Sequence, residues 1–114
     1  MPKIYYYTRK YPEYPIESMK IVDTLYVVGK DMKYEYALIS HFDIDNKSKT
    51  EYERYYYVHE YEPGIFIHEN FLHNEVAMSY DKKKLLSLYQ ADRARVKMDL
   101  IARLERFERD DLNA

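Results

Sequence analysis

The longest stretch of helical periodicity lies near the C-terminus, from about Asp81 to Asp110. No Gly or Pro interrupts residues 79–114, and Leu, Ala, Arg, Lys and Glu, all good helix formers, dominate there. At ~100° per residue, Leu85, Leu86, Tyr89, Val96, Leu100, Leu104 and Phe107 fall within roughly a third of the circumference. Ser79 or Asp81 is placed to cap the first turn by accepting its unpaired N–H groups. The main stripe requires a partner surface. Arg93 lies inside it, so it is expected to reach the rim or to pair with a carboxylate from the sheet. A second set, Ala91, Ala94, Met98, Ile101 and Ala102, lies away from the stripe, where small residues permit close approach of another helix. Two apolar sides on one helix predict a partner, most economically a second copy in a two-fold dimer with Ala94, Met98 and Ile101 at its interface.

The preceding eighty residues alternate as strands do. Lys3–Arg9 is a first strand around three consecutive tyrosines, followed by a loop at Tyr11-Pro12-Glu13-Tyr14-Pro15. Met19–Val28 is apolar on both sides at its end and reads as a central strand. Gly29-Lys30-Asp31 turns the chain into Lys33–Phe42. Asp43–Thr50 is polar and turn-like, and Glu51–Glu62 is a long tyrosine strand. Pro63-Gly64 makes a tight turn into a short strand at Ile65–His68. Glu69–Met78 fits either a short helix or a loop under the sheet. The resulting expectation is one α+β domain over 1–114. An antiparallel β-meander of four to five strands (1–80) packs on one long C-terminal α-helix (81–110).

Composition narrows the chemistry. Fifteen tyrosines lift the hydrophobic fraction to 46%, yet their hydroxyls leave the mean hydropathy at −0.71. Many rings should therefore sit half-buried at surfaces. The absence of cysteine excludes disulfides, thiolate zinc sites and a cysteine nucleophile. With neither a signal-like apolar run nor a membrane-length one, a soluble cytoplasmic protein without membrane partners is expected. Net charge is −2, unevenly spread: residues 1–80 carry nine Lys/Arg against thirteen Asp/Glu, and residues 81–114 nine against seven. An acidic sheet facing a basic helix explains this within the fold; a basic helical face for an acidic partner explains it outside.

Catalytic signatures are scarce. With only Gly29 and Gly64, no Gly-rich phosphate loop can form, and no serine lies in a Gly-x-Ser-x-Gly setting. Asp43-x-Asp45-Asn46 resembles the opening of a calcium loop, but Ser48 and Arg54 stand where Gly and Glu are needed. His59, His68 and His73 lie among glutamates and are weak metal candidates, His59 and His68 being expected to approach each other across a hairpin. No cofactor and no enzyme activity are expected.

The tyrosines carry the sharper hypothesis. Tyr5, Tyr7, Tyr34, Tyr36, Tyr55, Tyr57 and Tyr61 are expected to line one sheet face, a large rigid contact area at low entropy cost. The function expected is a small protein-interaction module, an inhibitor or regulator that occupies a partner's surface. Tyr34, Tyr36, Tyr55, Tyr57, Tyr61, Arg95, Arg103 and Arg106 would make the contacts. The composition is compatible with a phage or mobile-element accessory protein. Two rivals remain: nucleic-acid binding through the basic helix and exposed tyrosines, and a His/Glu metal-dependent activity.

Overall fold

A computed structural model of the chain describes residues 2–27, 34–45 and 50–112. Among these residues, strands β1 (Lys3–Thr8), β2 (Glu17–Tyr26), β3 (Tyr36–Asp45), β4 (Thr50–Glu62), β5 (Ile65–Glu69) and β6 (Glu75–Ser79) precede one helix, α1 (Lys82–Leu112). Each strand pairs antiparallel with the next, and β6 returns to β1 through Tyr5–Ser79 to Thr8–Val76, closing a six-stranded barrel. The class is α+β with one long C-terminal helix, as the periodicity predicts. The open meander of four to five strands is corrected. Glu75–Ser79, the end of the ambiguous 69–78 segment and one residue beyond it, is a sixth strand, and it removes both edges by joining β5 to β1.

Strand alternation sorts side chains between lumen and exterior. Ile4, Ile21, Leu38, Val58, Val76 and Met78 fill the lumen, with Tyr6, Met19, Tyr36, Tyr56 and Phe66 packed around them. A barrel this narrow is a filled core with no channel. Tyr6 donates to Glu17 Oε2 at 3.0 Å, and burial together with that carboxylate pushes its hydroxyl up to about 12. Register shifts at Ile21/Asp23 and Glu60/Glu62 bend the strands towards closure.

The turns follow their chemistry. Gly64, after Pro63, has φ +84°, and a Cβ there would meet Lys84 Nζ at 2.9 Å. In the β5–β6 connection Asn70 Oδ1 accepts from Leu72 N and Asn74 N, which lets His73 take a left-handed φ of 60°. Asp43–Asp45, read as part of a polar turn, extends strand β3 instead. The Gly29-Lys30-Asp31 turn lies outside the described residues.

Both capping candidates act at the start of α1. Asp81 Oδ1 accepts from Lys83 N at 3.0 Å, while Ser79 Oγ accepts from Asp81 N and donates to the Gly64 carbonyl at 2.7 Å. The helix then runs unbroken to Leu112. It lies over β1 and β6, where Tyr7, Ile67, Ala77 and Leu85 form a second core bordered by Tyr5, Ile16, Leu88 and Tyr89.

The expected stripe docks along half its length. Leu85 and Asp92 are buried and Leu88, Tyr89 and Val96 partly so, but Leu104 is 58% and Phe107 76% exposed. The barrel is too small to support a helix that accounts for much of the molecule's 58 Å long axis. Residues 97–109, about 20 Å of helix, carry their apolar side chains beyond it.

Candidate interaction surfaces

The joint between helix and barrel centres on Asp92, 2% exposed. Its spacing from Leu85, Leu88, Tyr89 and Val96 places it on the docked stripe, where a carboxylate must find donors. Tyr7 Oη donates to Oδ2 at 2.6 Å, Arg9 Nε to the same oxygen at 2.9 Å, and Arg9 Nη2 to Oδ1 at 3.2 Å. Arg95 approaches Oδ1 at 3.5 Å. Burial alone would raise the Asp92 carboxyl. The hydrogen bonds from Arg9 and Tyr7, with both arginine charges, outweigh it and hold the group below the ordinary carboxylate range. Burial and then the bond to Asp92 push the Tyr7 hydroxyl well up, and Asp92 holds Arg9 protonated. Among the described residues no buried side-chain polar atom lacks a partner, so this carboxylate is a fastening, fully occupied.

Arg93 reaches the rim, one of the two expected outcomes, and among the described residues meets no sheet carboxylate. It donates to the Pro12 carbonyl at 2.8 Å and to Tyr89 Oη at 3.2 Å, and Tyr89 donates onward to the Tyr14 carbonyl. The helix–sheet ion pair exists with its polarity reversed: the arginine, Arg9, comes from just after β1 and the carboxylate from the helix. Arg93→Ala should therefore cost about 2 kcal/mol, a loss of several degrees in melting temperature, because Pro12 is buried and its carbonyl loses a charged donor. Calorimetry checks this.

Beside the joint, residues 93–103 of α1 and the loop 10–13 enclose an open groove of about 960 Å³. Tyr11, Pro12, Val96 and Leu100 give it apolar walls; Lys10, Arg93, Arg95, Lys97 and Arg103 rim it against Glu13 and Asp99. Arg103 thus lines the groove, Arg95 is turned towards Asp92 and the Arg9 carbonyl, and Arg106 is exposed on the projecting half. Ala94, Met98 and Ile101 are exposed along another side of the helix.

A second surface lies across the barrel from the helix, since α1 covers β1 and β6 and a six-strand closure puts β3 and β4 opposite them. In outward register, Leu25 pairs with Ala37 and Ala37 with Tyr57; Asp23 pairs with Ile39 and Ile39 with Tyr55. Ala37 is 1% exposed and Ile39 is buried, whereas the flanking Leu25, Tyr55 and Tyr57 are each close to half exposed. The Tyr34 ring lies 5.9 Å from that of Tyr57.

The single tyrosine face divides into four. Tyr36, on the inward parity, is in the lumen with its ring 6.0 Å from Phe66. Tyr5 and Tyr7 lie under the helix. Tyr61 stands near the joint, with the Arg9 guanidinium 5.2 Å from its ring. Tyr34, Tyr55 and Tyr57 remain together.

The histidines do not converge. Register pairs Val58 with His68 and His59 with Ile67, so the two imidazoles fall on opposite faces. His68 Nδ1 lies 3.1 Å from the Tyr57 carbonyl, and exposed His73 pairs with Glu69 at 2.9 Å. The expected approach of His59 to His68 is overturned by a hairpin register shifted at Glu60/Glu62. Among the described residues no three His, Cys, Asp or Glu side chains gather as a metal site, and no helix is long and apolar enough to cross a membrane. Compared with protein families, curated proteins and solved structures, the chain matches none of them.

Proposed function

We propose that this chain is a non-enzymatic protein-interaction module that presents the outer face of β2–β4 to a protein partner. The observation that carries the reading is the arrangement around Ala37: a small buried centre bounded by Leu25, Tyr55 and Tyr57, on the side of the barrel away from the helix. Rings held on paired strands of a closed barrel offer contact area with little rotamer entropy to lose. Tyr34 broadens the face through its ring contact with Tyr57. The one buried carboxylate among the described residues is fully bonded inside the helix joint, which favours binding over catalysis. Such a module acts by occupying its partner's surface.

The test is capture from the native host with the parent chain and with a Tyr55→Ser/Tyr57→Ser variant. Loss of two central aromatic anchors should weaken capture by at least about tenfold while the melting temperature stays within a few degrees. A partner held equally by both chains would refute this face. Retention of single-stranded nucleic acid with a steep salt dependence would favour the rival reading.

A further inference from the structure

We infer that the projecting half of α1 pairs antiparallel with the same segment of a second copy of this chain, seating its tip in the groove beside the loop 10–13. The face that docks on the barrel through Leu85 and Tyr89 continues past it as Val96, Leu100, Leu104 and Phe107. Charge changes along the helix. Residues 82–97 hold six Lys/Arg against Asp92, whereas residues 98–112 hold three Arg against five Asp/Glu. The groove lining carries five Lys/Arg against Glu13 and Asp99, whereas the tip, residues 104–112, carries two Arg against four Asp/Glu.

Register makes the complementarity specific. Lys97 and Glu108 lie within ~20° of each other on one flank of the stripe, and Asp99 and Arg106 within ~20° on the other. In an antiparallel pair centred near Ala102 the same flanks meet. Leu100 then faces Leu104 of the second copy, Val96 faces Phe107, Lys97 faces Glu108 and Asp99 faces Arg106. None of these four charged residues has an ion-pair partner among the described residues. Parallel pairing is excluded by bulk, since each barrel occupies nearly the same helix face over residues 85–96. Antiparallel pairing instead lays each tip beside Tyr11 and Pro12, where the 960 Å³ groove is open. Ala94 borders the groove, but Met98 and Ile101 lie on a different side of the helix, and the tyrosine face on β3–β4 stays clear.

The experiment is sedimentation equilibrium on the full chain and four variants, with circular dichroism to confirm folding. The parent should dimerise. Lys97→Glu and Glu108→Lys should each weaken the dimer on the order of tenfold, because two symmetry-related attractions become repulsions. The double variant Lys97→Glu/Glu108→Lys should return to near the parent value, and Phe107→Ser should be monomeric while still folded. A monomeric parent at high concentration, or a double variant weaker than either single one, would overturn the proposal; the latter is the outcome parallel pairing gives.

Discussion

Asp92→Asn should lower stability by about 3 kcal/mol, roughly 10 °C in melting temperature. Asparagine keeps the shape and can still accept from Tyr7, but the Arg9 guanidinium, four-fifths buried, loses the carboxylate it grips through two nitrogens. Glu75, at 3.6 Å and half in solvent, is a weak substitute. The effect carries a pH signature. Asp92 is held below its ordinary value in the folded chain, so the unfolded chain binds more protons in acid. The contribution is complete above the unfolded value of about 4 and fades as pH falls through the lower folded value. Parent and Asp92→Asn melting temperatures, well separated at neutral pH, should therefore converge in acid. Thermal melts as a function of pH read this directly.

Leu85→Ala should cost a similar amount, about 3 kcal/mol. Leu85 is fully buried between the first turns of α1 and the β1–β6 surface, packed with Tyr7, Ile67 and Ala77. Truncation leaves a cavity roofed by a rigid helix and floored by a closed sheet, neither of which can collapse to fill it. Leu104→Ala, more than five turns further along the same stripe, should change the stability of the monomer by less than about 0.5 kcal/mol, since the barrel does not reach it. The contrast between two leucines on one predicted face measures where docking stops. Chemical denaturation at low protein concentration provides the comparison.

The helix was legible because its evidence is local: good formers, caps at Ser79 and Asp81, and no breaker after them. Where it stops being supported was not, because that depends on barrel diameter, which depends on closure. Closure in turn is invisible in alternation, since open and closed sheets impose the same two-residue period on each strand. Glu75–Ser79 is too short, and too uniformly apolar at its centre, to announce itself as a strand. The tyrosines show the same limit. Tyr36 and Tyr57 lie on opposite parities only once the β3–β4 register pairs Ala37 with Tyr57. The Asp92 joint left one clue in the sequence, a carboxylate at stripe spacing between Tyr89 and Val96. Such a residue requires a buried cation, and Arg9 supplies it from the loop after β1; attention to Arg93 on the same stripe reversed the polarity.

Amide hydrogen exchange resolved along α1, in chain dilute enough to be monomeric, tests the half-docked helix most directly. Amides of residues 85–96 should exchange only with undocking of the helix and slow in parallel with global stability, while those of 99–109 exchange orders of magnitude faster, as a solvated helix end does. Uniform protection from Leu85 to Arg109 under those conditions would show the tip packed on its own barrel and contradict the account.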